Sequence, residues 1–242
     1  MENFKIIIYG DLHGCLEEFK ELRTKVNPSS EDREIIVGDI LDRGPHSNKL
    51  LKYIQEENIE CVMGNHEYKY LKYKKHHDKH IEIGKTIPMK FTQDKQDIFN
   101  NMTEKDFKYL QSLPFYIKID NLTILHAGIQ NKIDLDNARK KDLERLTWMR
   151  KLDISQNLVS LNSEKEEDKW WSEYYDGNQG IIVYGHQPFD EVKIDKFAIG
   201  IDTGCVFGGN LTALVIQDTS RPMCSYSIVQ IDAKKEYNSD KY

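Results

Sequence analysis

The sequence predicts an α/β fold, and two features of its pattern support that prediction. Short apolar runs end at a glycine, as buried strands commonly do. Between the first three runs lie segments whose apolar residues recur at helical spacing. The 242 residues are 39% hydrophobic and 31% charged, which is the balance of a globular protein with a sizeable core. Alternating strands and helices are typical of a parallel sheet with helical crossovers.

Five predicted elements make up the N-terminal part of the chain. Strands are predicted at residues 4–9, 34–37 and 60–63, because each is an apolar run that leads directly into a glycine. Helices are predicted at residues 16–26 and 47–57, where apolar side chains recur every three or four positions. This order of elements predicts that the three strands lie parallel in one sheet.

The rest of the chain is predicted to be helical at first and then rich in strands. Residues 68–113 are rich in lysine and histidine and then amphipathic, which indicates mostly helical, solvated structure. Residues 115–119 and 122–126 indicate a hairpin. Residues 131–176 hold all three tryptophans and have the least regular pattern, and we expect them to form a lid over the site. Further strands are predicted at residues 181–184, 197–201, 211–217 and 225–231.

Composition limits the domain organisation and the partners. No repeat or low-complexity linker divides the chain, so we expect one domain over residues 1–232 and a frayed polar tail at 233–242. A net charge of −6 disfavours duplex nucleic acid as a partner. No apolar run approaches the roughly 20 residues of a membrane-spanning helix, and residues 1–10 lack the pattern of a secretion signal. The four cysteines form no C-x-x-C pair, which favours a reducing, cytoplasmic setting. No pattern in the sequence indicates an oligomeric state.

Side chains that can bind metal follow the predicted strands. In an open α/β sheet, ligands bind beyond the carboxyl ends of the strands, so residues at these ends converge on one crevice. The residues in question are Asp11, His13, Asp39, Asn65, His126 and His186.

The types of these six residues indicate a two-metal site. Three imidazoles, two carboxylates and one amide oxygen suit borderline divalent ions, and we expect Mn, with Fe or Zn as alternatives. Six ligands are too many for one catalytic ion, which must keep open positions, but they suit two ions that share a carboxylate. Such a pair stabilises in-line displacement at phosphorus and lowers the pKa of water. Arg43 adds a planar group that can hold two phosphate oxygens.

Five short motifs occur in a fixed order along the chain. They are G-D-L-H-G at 10–14, G-D-I-L-D-R-G at 38–44, G-N-H-E at 64–67, L-H-A-G at 125–128 and Y-G-H at 184–186. The set resembles the phosphoprotein phosphatase family of calcineurin-like metallophosphoesterases, over residues 4 to about 214. The resemblance implies the calcineurin-like metallophosphoesterase fold, in which two stacked β-sheets are flanked by helices in a four-layer sandwich.

The resemblance also implies how the two metals are bound. Asp11 and His13 would bind the first metal, and Asp39 would bridge the two. The second metal would be bound by Asn65, His126 and His186.

The remaining motif residues are implied to act on the phosphate ester. His66 would protonate the leaving oxygen, and Asp42 would orient His66. Arg43 would hold the phosphate, and Arg150 is the candidate for a second phosphate-binding arginine. A hydroxide that bridges the metals would attack phosphorus directly.

The substrate class is open between several hypotheses. A serine/threonine protein phosphatase is favoured, because Asp42, Arg43 and Glu67 resemble the protein-phosphatase pattern. The alternative is a symmetrical bis(5'-nucleosyl)-tetraphosphatase, a diadenosine tetraphosphate hydrolase, because I-D-T-G-C-V-F-G-G at 201–209 resembles bacterial enzymes of that type. The same block resembles the phosphatase domain of RNA end-healing enzymes, which would make the substrate an RNA end. A binding module without catalysis would lack ligands, and none is missing.

The region 131–176 should decide between these substrates. A narrow pocket with an aromatic wall would favour a nucleotide, whereas an open groove would favour the loop of a phosphoprotein.

Overall fold

Two five-stranded β-sheets lie at the centre of the computed structural model, which describes residues 4–239. The described helices are α1 (Leu16–Val26), α2 (Ser47–Glu56), α3 (Asn65–Ile83), α4 (Gln93–Asn100), α5 (Glu104–Ser112), α6 (Lys140–Arg145) and α7 (Trp171–Tyr174). The described strands are β1 (Ile6–Tyr9), β2 (Arg33–Ile36), β3 (Glu60–Cys61), β4 (Tyr116–Ile119), β5 (Leu122–Leu125), β6 (Lys151–Leu152), β7 (Lys169–Trp170), β8 (Ile181–Tyr184), β9 (Lys193–Asp195), β10 (Ala198–Gly200), β11 (Asn210–Ile216) and β12 (Tyr226–Asp232).

The first sheet has the strand order β12-β11-β1-β2-β3. Strands β1, β2 and β3 are parallel, as the alternation of strands and helices predicts, and β11 pairs antiparallel with β1. Every residue of β1 is buried, because alternate side chains enter two different cores. Tyr9 packs edge-on against Phe19 of α1, with ring centroids 5.0 Å apart. Ile6 and Ile8 belong to the second core, which explains why β1 is an unbroken apolar run.

The second sheet has the strand order β4-β5-β8-β10-β9 and faces the first. Ile124 and Val183 of this sheet share one apolar cluster with Ile8 and Leu214 of the first sheet, so the two sheets are stacked face to face. The opposite face of the second sheet is covered by the 131–176 region, whose Trp171 packs edge-on against Tyr184 at 4.9 Å. These layers confirm the expected α/β fold with two stacked sheets flanked by helices.

Three parts of the fold differ from the sequence-based expectations. Strand β9 was not predicted, and the 131–176 region contains the short antiparallel pair β6–β7. The expected frayed tail is wrong over residues 233–238, where the hydroxyl of Tyr237 donates to Glu18 Oε1 at 2.6 Å. The backbone N–H groups of Tyr237 and Asn238 also donate to the carbonyl oxygen of Val206, and Tyr237 packs against the first core. Residues 240–242 of that tail lie outside the described part of the chain.

None of the described helices is long and apolar enough to cross a membrane.

Candidate metal centre and active site

The six expected metal ligands come from the ends of five strands and meet in one place. Asp11 and His13 follow β1, Asp39 follows β2 and Asn65 begins α3 just after β3. The two late histidines follow β5 and β8 of the second sheet. The site therefore lies where the carboxyl ends of both sheets meet, as the sequence predicts.

A first group of side chains surrounds one carboxylate oxygen of Asp39. His13 Nε2 lies 3.5 Å from Asp39 Oδ2, and His66 Nε2 lies 3.8 Å from the same oxygen. The other ring nitrogen of His13, Nδ1, is 3.0 Å from the carbonyl oxygen of Leu41. This bond makes Nδ1 the protonated nitrogen and leaves the lone pair of Nε2 for a cation.

A second group surrounds the other oxygen of Asp39. His126 Nε2 lies 3.4 Å from Asp39 Oδ1, while its Nδ1 is 2.9 Å from the carbonyl oxygen of Val37. The side-chain oxygen of Asn65 lies 2.8 Å from both His126 Nε2 and His186 Nδ1. The two oxygens of Asp39 thus face different groups of ligand atoms, which is the arrangement of a carboxylate that bridges two ions.

Two further buried carboxylates increase the negative charge of the site. Asp11 accepts from the backbone N–H of His186, at 3.1 and 3.0 Å to its two oxygens. Burial and the neighbouring Asp202 raise the pKa of Asp11 well above its ordinary value. Burial raises the pKa of Asp202 to about 6. A nearby cation would stabilise the charged form of two such close carboxylates most strongly.

The histidines are in electrostatically different states. Burial lowers the pKa of His13 to about 3. Burial and the neighbouring His126 hold the pKa of His186 well below its ordinary value. Burial disfavours charge on His126 too, but the Asp39 carboxylate outweighs it and raises the pKa of His126 to about 10. Two neutral imidazoles are ready ligands, and a proton on the third occupies the place that a cation would take.

These residues fit a pair of divalent ions. All donors are imidazole nitrogens and oxygens, and one buried carboxylate is shared by two groups whose ligand atoms lie within 4.8 Å of one another. Buried hydrogen bonds fix the ring orientation of His13 and His126 without using their inward nitrogens.

His66 is held beside the metal-binding residues by Asp42. His66 Nδ1 is 2.7 Å from Asp42 Oδ2, and the second oxygen of Asp42 accepts from the hydroxyl of Tyr70. Burial disfavours the Asp42 carboxylate, but His66 and Tyr70 hold its pKa below the ordinary value. The ionised Asp42 accepts a hydrogen bond from Nδ1 of His66 and orients the ring so that Nε2 lies on the side of Asp39.

Backbone strain is concentrated in the loops that carry these side chains. Non-glycine residues rarely adopt positive φ, and each instance costs on the order of 1–3 kcal/mol. Five such residues belong to the expected site, namely His13 (φ 39°), Asp39 (51°), Asp42 (72°), Arg43 (68°) and His186 (70°). The fold holds these residues in strained positions, which is common where side chains must point to one centre.

The buried carboxylate of Glu67 holds one of these strained loops. Its Oε2 accepts from the backbone N–H of Asp39 at 2.9 Å, and its Oε1 accepts from Ile40 and Leu41 at 2.9 and 3.0 Å. Glu67 is therefore the anchor of the loop that carries the shared carboxylate, a role that the sequence pattern alone did not reveal.

Replacing Glu67 with alanine is expected to destabilise the protein by about 3 kcal/mol, because three buried backbone N–H groups lose their acceptor. Urea unfolding of Glu67→Ala measures this loss. Glu31→Ala, at an exposed position, serves as the matched control. Equal unfolding midpoints for the two variants would contradict this role of Glu67.

Gly185 lies so close to the metal-binding residues that no side chain fits. A β-carbon there would contact Asp11 Oδ1 and would lie 2.6 Å from Val37 Cγ2. We expect Gly185→Ala to displace Asp11 and to lower metal affinity about 10- to 100-fold, measured by isothermal titration with Mn²⁺. Gly84→Ala is the control for metal affinity, because Gly84 ends α3 on the surface, and the strain of a side chain at its φ of 68° does not reach the site. Unchanged affinity in Gly185→Ala would refute this expectation.

Three cavities meet at Arg43. The central cavity, about 50 Å³, is lined by metal-binding residues and by His66, Asp202 and Phe207. The Trp148 cavity, about 370 Å³, is lined by Arg43, Trp148, Arg150, Leu161, His186 and Pro188 among others. The Lys95 cavity, about 600 Å³, is lined by Asp42, Arg43, His66, Lys95, Thr92 and Ile98 among others.

Both candidate phosphate-binding arginines line these cavities. The guanidinium of Arg43 lies 4.9 Å from the ring centre of Phe207, and that of Arg150 lies 5.8 Å from the ring of Trp170. Arg150 is close enough to His186 to lower its pKa. The structure therefore brings Arg150, which the sequence placed only by a loose pattern, to the edge of the site.

Sequence reasoning missed Asp202 and Lys95. Asp202 follows the apolar strand β10 and lines the central cavity, so it shows the same strand-end signal as Asp39. Lys95 carries no local signal, because it is one of many lysines in an amphipathic region and reaches the site only through the packing of α4.

Comparisons with known proteins add to this geometry. A family model described as calcineurin-like phosphoesterase matches residues 4–219. An Oceanobacillus iheyensis protein named bis(5'-nucleosyl)-tetraphosphatase PrpE (asymmetrical) is 34% identical over 228 residues, which are 86% of this chain and 87% of that protein. A Bacillus mycoides protein of the same name is 33% identical over 230 residues, which are 87% of this chain and 89% of its own.

Solved structures show a similar fold. A crystal structure described as that of a candidate diadenosine tetraphosphatase has a TM-score of 0.75 and 23% identity, and the match covers 96% of this chain and 95% of the other. A Saccharomyces cerevisiae protein serine/threonine phosphatase has a TM-score of 0.65 and 15% identity over 96% of this chain and 81% of its own. At these identities the likeness concerns the fold alone.

Proposed function

Because the chain belongs to the calcineurin-like phosphoesterase family and is a metal-dependent hydrolase of phosphate esters, we propose that it hydrolyses bis(5'-nucleosyl) tetraphosphates. We further propose that the cleavage is asymmetrical and releases a nucleoside triphosphate and a nucleoside monophosphate. The printed names of the curated relatives support both parts of this proposal.

The Trp148 cavity is the observation that carries the proposal. Trp148 is 46% exposed and Leu161 is 51% exposed, although both are large apolar side chains beside charged groups. The same cavity is lined by Arg150, Arg43 and His186. An aromatic wall next to arginines and a metal-binding histidine suits a nucleoside with its 5'-phosphate.

The 131–176 region favours a nucleotide over a protein loop. Trp148 and the segment 159–161 belong to this region and wall the cavity on one side. The indole of Trp148 supports a nucleotide, for which an aromatic wall is expected, over the loop of a phosphoprotein. The comparisons and the cavity favour a bis(5'-nucleosyl)-tetraphosphatase over a protein phosphatase. They also favour asymmetrical cleavage, whereas the sequence-based alternative specified symmetrical cleavage. The role of this region as a lid is part of the proposal.

The residues of the site have two kinds of role in the proposed reaction. We expect Asp11, His13, Asp39, Asn65, His126 and His186 to hold two divalent ions, with Mn as the proposed metal. When bound, such ions neutralise phosphate charge and lower the pKa of the attacking water.

The remaining residues act on the phosphate and the leaving oxygen. Arg43 and Arg150, which both line the Trp148 cavity, hold phosphate oxygens. His66, oriented by the hydrogen bond from Nδ1 to Asp42, carries a second proton on Nε2 in its cationic form and places that proton on the leaving oxygen. Asp42 is thus a positioning residue that acts through His66.

Product analysis tests the proposal. Mn²⁺-loaded protein is incubated with diadenosine tetraphosphate, and the nucleotides are resolved by ion-exchange chromatography. Equal amounts of ATP and AMP are the expected products. Two molecules of ADP would instead indicate symmetrical cleavage. No hydrolysis at a rate above that of the Asp39→Asn variant would contradict the proposed substrate class.

A cytoplasmic location remains part of the proposal. The thiols of Cys15, Cys61 and Cys205 are buried and free of disulfides, which supports a reducing environment.

A further inference from the structure

The cavities of the site form a path with two different ends. His66 lines both the central cavity and the Lys95 cavity. His186 and Pro188 line both the central cavity and the Trp148 cavity. Arg43 lines all three. A substrate with phosphorus at the centre would therefore extend into one cavity on the His66 side and the other on the His186 side.

We infer that the two flanking cavities receive the two unequal products, with the nucleoside monophosphate in the Trp148 cavity and the nucleoside triphosphate in the Lys95 cavity. This inference rests on the proposed function and adds the orientation of the substrate. Three observations on the described residues carry it: the side on which His66 lies, the charges of the cavity walls and the sizes of the cavities.

The position of His66 determines which side the leaving group takes. In an in-line displacement at phosphorus, the attacking and leaving oxygens lie on opposite sides. The leaving oxygen must lie near the proton donor, and His66 forms part of the wall of the Lys95 cavity. The departing product therefore occupies the Lys95 cavity.

The charges of the walls indicate which product departs. Lys95 Nζ lies 3.6 Å from Asp42 Oδ2, so its ammonium group is held near His66. Arg43 lines the same cavity, so two cations lie on this side of the site. Lys95 and Arg43 line this cavity together with carboxylates, and such a mixture suits a polyphosphate chain that carries a divalent ion better than a single phosphate.

Acidic groups also belong to the Lys95 cavity. Asp94 and Asp97 line it, and Asp97 accepts a hydrogen bond from Gln93 at 2.8 Å. A triphosphate binds Mg²⁺, and carboxylates are common partners of such a chelated ion. The Trp148 cavity has an aromatic and aliphatic wall instead, with one further cation, Arg150.

The sizes of the cavities agree with this assignment. The Lys95 cavity, at about 600 Å³, is larger than the Trp148 cavity, at about 370 Å³. The nucleoside triphosphate is the larger product.

The assigned orientation defines which bond breaks. The oxygen of water forms a bond to the phosphorus that carries the nucleoside of the Trp148 cavity. The bond from that phosphorus to the bridging oxygen breaks, and its electron pair stays on the bridging oxygen. That oxygen leaves on the triphosphate and takes a proton from His66, and the one proton that water gives up is returned to His66 through the solvent. One water molecule is consumed, and the products are one monophosphate and one triphosphate.

Hydrolysis of diadenosine tetraphosphate in ¹⁸O-enriched water tests this orientation with the intact, Mn²⁺-loaded protein. We expect mass spectrometry to find the label in AMP and none in ATP. Label in ATP would mean that water attacked the neighbouring phosphorus, and this result would overturn the inference while leaving the proposed function intact. Formation of ADP alone would overturn both.

A pair of variants tests the assignment of the cavities. Lys95→Gln should lower the ratio of kcat/KM for diadenosine tetraphosphate to kcat/KM for thymidine 5'-(4-nitrophenyl phosphate) about 10-fold, because only the dinucleotide has a polyphosphate leaving group. Trp148→Ala should lower kcat/KM for both substrates about 10-fold, because each places a nucleoside in its cavity. Lys90→Gln, at an exposed position, is the control.

The ratio between the two substrates decides the outcome. An unchanged ratio in Lys95→Gln would refute the triphosphate site. A fall in Trp148→Ala that is confined to diadenosine tetraphosphate would refute the placement of the monophosphate.

Discussion

Replacing Asp39 with asparagine is expected to lower kcat on diadenosine tetraphosphate roughly 10³-fold, which corresponds to about 4 kcal/mol of transition-state stabilisation. The two oxygens of Asp39 face the two groups of ligand atoms, and no other described carboxylate belongs to both groups. An amide has no charge to share between two cations. Asparagine is the substitution of choice, because it tolerates the φ of 51° at this position and can still accept from the backbone N–H of His66.

Metal content separates this effect from misfolding. We expect wild-type protein to retain two Mn²⁺ per chain after gel filtration and Asp39→Asn to retain one or none, with circular dichroism spectra that superimpose. The exposed Asp136→Asn variant serves as a control for the loss of a carboxylate. Full metal content together with full turnover in Asp39→Asn would exclude a bridging role for Asp39.

Replacing His66 with asparagine is expected to lower kcat on diadenosine tetraphosphate by about 10²- to 10⁴-fold. His66 is the imidazole that lies between Asp42 and the central cavity, where it can give a proton to the departing oxygen. Because this dependence grows with the basicity of the leaving group, the loss should be larger on thymidine 5'-(phenyl phosphate) than on thymidine 5'-(4-nitrophenyl phosphate). The ratio of the two losses is the measurement.

Asp42→Asn is the informative companion of this variant. It retains the imidazole but changes the hydrogen bond to His66 Nδ1, so the loss on the dinucleotide should be smaller than in His66→Asn. Equal losses on the phenyl and the 4-nitrophenyl ester in His66→Asn would show that His66 does not serve the leaving group.

The position of the metal centre could be predicted from local sequence alone. Asp11, Asp39 and Asn65 each follow an apolar run by one to three residues, and the parallel order of β1, β2 and β3 brings the ends of these runs to one edge. Strand direction is fixed by the intervening helices, so no long-range information is required.

The walls of the site could not be predicted in this way. Trp148 and Trp171 occur in the same irregular region, yet Trp148 is 46% exposed, whereas Trp171 is buried against Tyr184. Their difference arises from packing between distant segments, since Gly128 lies directly against the indole of Trp171. Lys95 likewise acquires its place only when α4 packs near Asp42. The spacing of apolar residues in the sequence indicates which side chains are buried, but it does not indicate which other segment of the chain packs against them.

The substrate class was the least predictable property. In the sequence, Asp42, Arg43 and Glu67 favour a protein phosphatase. Their contacts show local tasks that any phosphate ester requires: Asp42 orients His66, and Glu67 holds the loop of Asp39. In our proposal the substrate is distinguished by Trp148, Arg150 and Lys95, which lie outside the motifs.

The most direct test of the proposed function compares two substrates on a single Mn²⁺-loaded preparation. The kcat/KM for diadenosine tetraphosphate is measured beside that for a phosphothreonine peptide. We expect the dinucleotide to be preferred by at least about 100-fold, because the peptide has no base for the Trp148 cavity and no polyphosphate for the Lys95 cavity. A preference for the peptide would contradict this function and would identify the chain as a protein phosphatase.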